Sequence, residues 1–336
     1  MRVLVTGGAG FLGSNLVRLL LKEGYKVTIL DNFTSGSSWN IQDIRDQVRI
    51  ILGSTFKKEA VYHGVKDADA VIHLAGQVSH ITSQKDPMKD VKANVMGTLT
   101  ILETIRELGK RIPVIYASSR SVYGKKMKKP TDPPITENAL PEPLDIYGAS
   151  KLACEKYGLI YDYHEDIPFI AFRMANLFGP RQILTPIYQF IAWLFFCVWK
   201  GREFTFYGDG TQTRDFLYVG DACEAYLMAL EKYDKLRGQV YNLNGKTYCT
   251  WNEAMAIAKE VTGGEIKVKY IPHTTIRAKL ENPYSRLSGD KIARAVGWRP
   301  KTTLKEGFER MLEYYSKNDN WKHHLLHPLN QIPKEP

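Results

Sequence analysis

The fold of this chain is decided by the stretch Thr6-Gly7-Gly8-Ala9-Gly10-Phe11-Leu12-Gly13. A short β-branched run, Val3-Leu4-Val5, comes directly before it, and apolar residues at helical spacing come after it. Gly8, Gly10 and Gly13 satisfy the pattern G-x-G-x-x-G, in which glycines let the backbone turn tightly and approach a pyrophosphate. The stretch therefore predicts a strand, a glycine turn and a helix whose N-terminus can hold a phosphate group.

Further β-branched runs follow at intervals that leave room for helices. They are Val27-Thr28-Ile29-Leu30, Val48-Arg49-Ile50-Ile51-Leu52, Ala70-Val71-Ile72-His73-Leu74 and Val114-Ile115-Tyr116-Ala117. Helical periodicity is clearest between the run at Val3 and the run at Val27, and again from Val95 onward. Buried strands that alternate with helices predict right-handed βαβ units, and so an α/β fold with a Rossmann-like, doubly wound parallel sheet.

The pattern becomes irregular from about Phe172 onward, which predicts a second, smaller domain. We expect residues 1–172 to form the sheet domain, with some later segments returning to it. Residues 173–317 should form mainly the smaller domain, and residues 318–336 a C-terminal tail.

A helix near the end of the chain is predicted by a capping box, Thr303-x-x-Glu306, followed by an apolar face. After Lys317 the chain turns polar, and we expect it to fray in solvent. Three histidines lie in this tail, and we interpret them as a solvated cluster rather than a metal site: His323, His324 and His327.

Composition excludes several classes of protein. The chain has 336 residues, of which 44% are hydrophobic and 24% charged, as is ordinary for a globular protein. Its four cysteines are widely spaced, which argues against a zinc site and a disulfide framework and favours a reducing, cytoplasmic location. The N-terminus opens directly into a strand pattern, so we expect no signal peptide.

The net charge of +10 could indicate nucleic acid, an acidic membrane or a small anion as partner. The densest basic cluster, Lys125-Lys126-Met127-Lys128-Lys129, has no aromatic residue for base stacking, so we expect no nucleic-acid binding. The longest apolar run, Phe190 to Trp199, is shorter than the roughly 20 residues that span a bilayer. We expect it to form a buried helix or a subunit contact rather than a membrane-peripheral segment.

Asp31 ends the second predicted strand, about 20 residues beyond the glycine turn, as in dinucleotide-binding folds. A carboxylate there accepts hydrogen bonds from the adenosine ribose hydroxyls and repels a 2′-phosphate. The sequence therefore favours NAD over NADP as cofactor. The alternative, in which the glycines serve only a tight turn, does not explain the acid.

Tyr147 and Lys151 stand four residues apart in Tyr147-Gly148-Ala149-Ser150-Lys151. On a helix they share one face, and a nearby ammonium lowers the pKa of a phenol from its usual value near 10. The pair therefore predicts a proton-transfer device, although the same spacing also occurs on solvated helix faces. Ser118 and Ser119 follow the fifth predicted strand, where parallel sheets place ligands, and a serine hydroxyl there can bind a substrate hydroxyl or carbonyl.

Taken together, these motifs resemble the extended short-chain dehydrogenase/reductase family, and within it the nucleotide-sugar epimerases and dehydratases. The resemblance covers roughly residues 1 to 315. It is carried by the glycine stretch, the Tyr-x-x-x-Lys pair, and the stretches His73-Leu74-Ala75-Gly76, Asn94-Val95-Met96-Gly97-Thr98, Ser118-Ser119-Arg120-Ser121-Val122-Tyr123-Gly124, Arg173-Met174-Ala175-Asn176, Gly179-Pro180-Arg181-Gln182, Tyr207-Gly208-Asp209-Gly210-Thr211-Gln212-Thr213-Arg214-Asp215-Phe216 and Gly297-Trp298-Arg299-Pro300.

The resemblance implies roles for particular residues. It implies Ser119, Tyr147 and Lys151 as the catalytic triad. It implies a nucleotide-diphosphate sugar as substrate, bound by Ser119, Asn176, Arg214 and Arg277, with no metal, and a homodimer in which the helix carrying Tyr147 takes part. The NAD-binding residues implied are Gly7, Gly10, Phe11, Leu12, Gly13, Asp31, Asn32, Leu74, Ala75, Gly76, Tyr147 and Lys151.

The residues after the predicted catalytic serine bear on the reaction. Sugar 4,6-dehydratases of this family carry an Asp-Glu pair there, and the UDP-xylose-forming decarboxylases a Glu at the second position; here the residues are Arg120 and Ser121. We therefore expect epimerisation through a transient ketone. Ser54 stands where the family usually has an Asp for the adenine amino group, which predicts fewer contacts to the cofactor.

The first expectation for the reaction is the interconversion of UDP-glucose and UDP-galactose at C4. A CDP-paratose or tyvelose type of 2-epimerase stays open, because Leu74-Ala75-Gly76-Gln77-Val78-Ser79 resembles that group. A UDP-glucuronate or UDP-GlcNAc 4-epimerase, a net NAD-dependent sugar-nucleotide oxidoreductase and a non-catalytic NAD-binding protein also stay open.

Overall fold

The structure is a computed structural model that describes residues 1–186, 190–273 and 275–325, without the side chains of residues 275–277 and 318. The strands of the described residues are β1 (Arg2–Thr6), β2 (Lys26–Asp31), β3 (Arg49–Leu52), β4 (Ala70–His73), β5 (Val114–Ser119), β6 (Phe169–Met174), β7 (Asn176–Phe178), β8 (Glu203–Tyr207), β9 (Thr213–Tyr218), β10 (Gln239–Leu243), β11 (Thr247–Thr250) and β12 (Lys267–Ile271).

The α-helices are α1 (Phe11–Lys22), α2 (Lys58–Val65), α3 (His80–Lys85), α4 (Pro87–Val91), α5 (Gly97–Glu107), α6 (Ile146–Glu165), α7 (Phe190–Lys200), α8 (Val219–Glu231), α9 (Tyr233–Leu236), α10 (Trp251–Thr262), α11 (Thr275–Leu280), α12 (Asp290–Val296), α13 (Leu304–Ser316) and α14 (Trp321–His324). Short 3₁₀ segments cover Ser38–Gln47, Arg120–Tyr123 and Lys317–Asp319, and a π-helical turn, Lys92–Met96, leads into α5.

Seven parallel strands form the central sheet in the order β10-β6-β5-β4-β1-β2-β3. Each of the five strands predicted in the first half of the chain lies in it, which confirms the doubly wound α/β fold. The chain order reverses at β1, which pairs with β4 on one side and β2 on the other. Ligands of such sheets bind at this reversal, beyond the carboxyl ends of the strands.

Two apolar cores cover the two faces of the sheet because successive strand side chains point to opposite faces. Val3 and Val5 pack in the core that contains Leu16 of α1, whereas Leu4 packs in the core that contains Ile101 of α5. The β-branched run of β1 is thus buried on both faces, as parallel strands require. This burial fixes the height at which the glycine turn leaves the sheet.

The second half of the chain builds two small sheets, β11-β9-β7 and β12-β8. One residue, Ala175, separates β6 of the central sheet from β7 of the first small sheet. Its backbone N–H donates to the Leu243 carbonyl oxygen at 2.9 Å. Strand β10 returns to the central sheet beside β6.

The apolar run from Phe190 forms helix α7, and most of its side chains are buried in the core. The Phe190 ring packs edge-on against Trp251 of helix α10, with ring centroids 4.8 Å apart. The run is therefore a buried helix, one of the two expected outcomes. Among the described residues, the helices are all too short or too polar to cross a membrane.

The predictions for the end of the chain are confirmed in part. The capping box at Thr303 and Glu306 is formed, with both reciprocal hydrogen bonds, at the start of α13. The expectation of a fraying tail is wrong for the residues up to Leu325, because His324 is buried and hydrogen-bonded to Tyr314 at 2.9 Å. Its burial lowers the pKa of His324 to about 3. His327 lies outside the described residues.

Candidate active site

The glycine turn lies between the carboxyl end of β1 and the start of α1, as predicted. Gly7 has φ +70°, a left-handed conformation that favours glycine, and a Cβ there would lie 2.9 Å from the Ala75 backbone nitrogen. A Cβ at Gly13 would collide with the Gly7 carbonyl oxygen. No side chain of the described residues caps the N-terminus of α1. The backbone thus forms an open cradle with the positive end of a helix dipole, which fits a pyrophosphate.

Asp31 lies at the end of β2, buried beside the same turn. Its carboxylate accepts hydrogen bonds from the backbone N–H groups of Ala9 (2.9 Å) and Phe33 (2.8 Å). Burial raises the pKa of Asp31 and these donors oppose the rise. A carboxylate has about four acceptor positions, so these donors leave acceptor capacity for ribose hydroxyls.

Asn32 follows directly and donates to the Ser54 hydroxyl at 2.9 Å, so the residue that replaces the family's usual Asp is held at the edge of the site. Leu74, Ala75 and Gly76 follow β4 on the opposite side of the turn. The Ala75 N–H donates to the Thr6 hydroxyl at 3.2 Å, which ties the two strand ends together.

Tyr147 and Lys151 lie on the buried face of α6, one turn apart, as their spacing predicted. The helix begins at Ile146, where Asp145 caps it by accepting from the Gly148 N–H at 2.7 Å. This cap fixes the first turn and therefore the position of the Tyr147 phenol.

The expectation that the pKa of Tyr147 lies below its usual value is wrong. The Lys151 ammonium donates to the Ala117 carbonyl oxygen at 2.8 Å, and burial lowers its own pKa. Burial raises the pKa of Tyr147 to about 12, and the nearby Ser119 hydroxyl offsets only part of that rise. Desolvation of the phenol outweighs the attraction of the ammonium, a balance that residue spacing does not reveal.

Ser119 ends β5, and its hydroxyl donates to the Ser121 hydroxyl at 3.0 Å and accepts from the Ser121 N–H. The preceding residue, Ser118, points away and donates to Glu155, which is paired with Arg173. The two adjacent serines are therefore separated by the alternation of the strand: one lies at the cavity and the other in a buried ionic cluster.

Arg120 is the residue that the sequence predictions missed. Its guanidinium lines the cavity and its Nε–H donates to the Asn176 Oδ1 at 2.9 Å. Burial, together with the charge of Arg214, lowers the pKa of Arg120 to about 10. Its position directly after Ser119, at the carboxyl end of a parallel strand, was the signal that could have revealed it.

Arg214 lies on β9 and forms an ion pair with Glu281 at 2.6 Å. Its sequence neighbour Asp215 points to the other side of the strand and accepts from the backbone N–H groups of Gly245 and Leu287. Burial raises the pKa of Asp215 to about 7, whereas Arg214 holds the pKa of the half-buried Glu281 below its usual value. Arg214 is thus paired, although not with Asp215.

Arg277 belongs to helix α11, but its side chain lies outside the described part of the structure. His80 was also not predicted. Its Nδ1 contacts the Asp145 carboxylate, and its ring packs edge-on against Tyr147 with centroids 5.0 Å apart. Among the described residues, no group of three or more potential ligands could hold a metal ion.

One cavity of about 1640 Å³ joins all of these features. The glycine turn and Asp31 line one part of it, Ser119 and Tyr147 the middle, and Arg214 the other end. The cavity is large enough for a dinucleotide and a second ligand that meet at Tyr147.

The fold is shared with known proteins. A model of the NAD dependent epimerase/dehydratase family matches residues 3–244. The chain belongs to this family. A putative UDP-glucose 4-epimerase of Methanocaldococcus jannaschii is 33% identical over 318 residues, which are 94% of this chain and 99% of that protein.

Two further proteins that this chain resembles differ from each other in substrate. The CDP-paratose 2-epimerase of Salmonella typhi is 29% identical, covering 94% of this chain and 99% of its own length. The crystal structure of the Thermotoga maritima UDP-glucose 4-epimerase with UDP-glucose superposes with a TM-score of 0.87 at 31% identity, over 95% of this chain and 99% of that one. The family uses NAD, and the open cradle at Gly7 and the free acceptor positions of Asp31 fit that cofactor.

Proposed function

We propose that this chain epimerises a nucleotide-diphosphate sugar at C4 through a transient ketone, with UDP-glucose and UDP-galactose as the reference pair. The observation that carries the proposal is the placement of Ser119, Tyr147 and Lys151 in the middle of one cavity, between the cofactor cradle and Arg214. A sugar held there has its reacting hydroxyl at the phenol and its diphosphate at the cationic end.

The state of the cavity's carboxylates supports epimerisation over elimination. The described carboxylates that line the cavity are those of Asp31, Asp145 and Glu281. Backbone N–H groups bind the first, His80 and an N–H group bind the second, and Arg214 binds the third. Loss of water or of carbon dioxide needs a further acid or base, which family relatives supply at the positions that Arg120 and Ser121 occupy here.

NAD, held by the cradle at Gly7 and by Asp31, would supply the acceptor for a hydride from the sugar carbon and its return. The Tyr147 oxygen accepts the proton of the sugar hydroxyl and later gives it back to the keto oxygen. The Ser119 hydroxyl orders that oxygen during both transfers. Acid–base catalysis of this kind contributes about 10²- to 10⁴-fold in rate.

The test is to incubate the NAD-loaded protein with UDP-glucose, UDP-GlcNAc, UDP-glucuronate and CDP-sugars and to follow each by NMR. The expected result is an equilibrium mixture of C4 epimers without net reduction of the cofactor. Accumulation of an oxidised sugar with stoichiometric NADH would instead identify a net oxidoreductase, and retention of every sugar unchanged would contradict the proposal.

A second candidate is epimerisation at C2 of a CDP-sugar. The stretch Gln77-Val78-Ser79, which resembles that group, lines the cavity. The same NMR experiment distinguishes the candidates, because the inverted carbon is read from the ring couplings.

We also propose a cytoplasmic homodimer in which α6 lies at the interface. The face of α6 that points away from the sheet carries exposed apolar side chains: Tyr157 is 38% exposed, Ile160 51% and Tyr163 83%. The four cysteines are free thiols, as suits a reducing compartment. Light scattering should give twice the chain mass, and Ile160→Glu should shift the protein to monomer; a wild-type monomer would contradict the dimer.

Finally, we propose that residues 1–172, together with β10, hold the cofactor and that residues 173–317 bind mainly the sugar nucleotide. Asn176 and Arg214 lie on β7 and β9 of the small sheet, which supports this division.

A further inference from the structure

Arg120 has an unusual position for a charged residue. It directly follows Ser119, lies half-buried at the carboxyl end of β5, and lines the cavity. Its Nε–H donates to Asn176, which leaves the two terminal nitrogens, Nη1 and Nη2, to bind a ligand. These nitrogens present two parallel N–H donors, the geometry that binds a carboxylate in bidentate fashion.

The charges around Arg120 leave it without a counter-ion. No carboxylate of the described residues lies within ion-pair distance of its guanidinium; those that act on it from further away are Glu281, Asp215 and Asp145, of which Asp145 contacts His80. Glu281 is already paired with Arg214, and Asp215 is bound by backbone N–H groups. A cation that is partly removed from water and unpaired costs free energy, so the site is completed by an anionic ligand.

The position of Arg120 distinguishes between two parts of a sugar nucleotide. Arg120 directly follows Ser119, and its bonding partner Asn176 pairs in register with Phe216, two residues beyond Arg214 on β9. Arg120 therefore lies near both the predicted catalytic serine and the arginine proposed for the diphosphate. The group that occupies this space is the sugar ring with its substituents.

We propose that Arg120 binds a carboxylate on the sugar, so that the preferred substrate is a nucleotide-linked uronic acid rather than a neutral hexose. This inference rests on the proposed epimerase function and narrows its substrate class. The Arg120–Asn176 bond holds the guanidinium plane, so its outer edge meets the carboxylate without a search among side-chain conformers.

The test compares UDP-glucuronate with UDP-glucose for the NAD-loaded protein, by NMR turnover and by calorimetric binding, in the wild type, Arg120→Gln and Arg120→Lys. The wild type should favour the uronate at least about tenfold in kcat/KM, because a charge-assisted bidentate pair adds affinity of that order. Arg120→Gln should lower the uronate-to-glucose ratio by about 30-fold or more, and Arg120→Lys should restore part of it.

Matched controls separate this role from others. Arg181→Gln removes a half-buried arginine that is not among the cavity-lining residues, so the ratio should not move. Binding of UDP alone reports on the diphosphate site. Thermal midpoints and cofactor content show whether Arg120→Gln folds; if it does not, the wild-type ratio and Arg120→Lys decide.

Two results would overturn the inference. One is a wild-type preference for UDP-glucose. The other is an equal loss on both sugars and on UDP in Arg120→Gln, which would assign Arg120 to the diphosphate or to Tyr147. If neither sugar is epimerised but the uronate binds more tightly in an Arg120-dependent manner, the proposed reaction fails while the binding role stands. If neither sugar nucleotide binds, both fail.

Discussion

The Lys151 ammonium lies 5.8 Å from the centre of the Tyr147 ring, on the same face of one helix. At that distance it stabilises a phenolate without a direct bond to the oxygen, and it remains free to bond the Ala117 carbonyl. Because burial raises the pKa of Tyr147 to about 12, the phenol needs positive charge nearby to act as a base near neutral pH; Lys151 lies in position to supply it, and NAD held in the cradle at Gly7 would add to it.

Replacing Tyr147 by Phe should lower turnover by about 10³-fold, because the oxygen proposed to accept and return the proton is removed. Bound NAD should be retained, since the cradle at Gly7 is untouched. Tyr62→Phe, at an exposed tyrosine of α2, is the control and should turn over normally. Retained epimerisation in Tyr147→Phe, measured by NMR, would sink the assignment.

Replacing Lys151 by Met should move the rising limb of the kcat–pH profile to higher pH, because the phenolate loses a cationic neighbour. The loss at neutral pH should be partly recovered in alkaline buffer. Lys156→Met, which removes an exposed lysine from the same helix, should leave the profile in place. A pH-independent loss would mean that Lys151 serves only to hold the cofactor or the Ala117 carbonyl.

Gly7→Ala should abolish NAD binding and destabilise the fold. Alanine costs about 1–2 kcal/mol in a left-handed conformation, and at Gly7 it also meets the Ala75 backbone. Gly24 has a similar φ, +82°, with nothing within 4 Å of a Cβ, so Gly24→Ala isolates the conformational cost. Cofactor absorbance and chemical unfolding would measure both; equal effects in the two variants would show that the close approach is unimportant.

His73 gives the fold a dependence on acid. It is completely buried between Thr6 and Thr98, and burial lowers its pKa to about 3. The unfolded chain binds a proton below about pH 6.5 and the folded chain does not, so stability falls as pH drops from 6.5 towards 3. The slope from one such residue approaches about 1.4 kcal/mol per pH unit.

His73→Asn keeps an acceptor towards Thr6 but cannot be protonated, so the acid limb of the free energy of unfolding should become flatter. The exposed His63→Asn on α2 should leave that limb unchanged. Urea titrations between pH 4 and pH 7 would measure the slopes, and an unaltered slope in His73→Asn would assign the acid sensitivity to His324 or to carboxylates.

The fold was predictable because its signals are local. The β-branched run at Val3 and the glycines after it specify a strand and a turn within a few residues, and burial on both faces leaves the strand one place in the sheet. The small sheet of β8 and β12 was not predictable, because its strands lie some 60 residues apart in the chain. Their pairing depends on the packing of α7 and α10 around them.

In the site, too, local features were predictable and those that depend on long-range packing were not. The positions of Tyr147 and Lys151 were predictable from helical spacing, whereas the pKa of the phenol was not, because burial is a property of the whole fold. In the sequence, Arg120 indicated only that a carboxylate is missing at that position. Its contact with Asn176, 56 residues later, needed the three-dimensional structure to bring β5 and β7 together.

The single residue between β6 and β7 has a consequence for how such an enzyme diversifies. Met174 ends the sheet that carries the cofactor cradle, and Asn176 begins the sheet proposed to carry the sugar site. One intervening residue, itself bonded to β10, leaves no slack for a hinge at this crossing. New sugar preferences are therefore most easily acquired by exchanging single side chains along the cavity wall, with the redox geometry inherited intact.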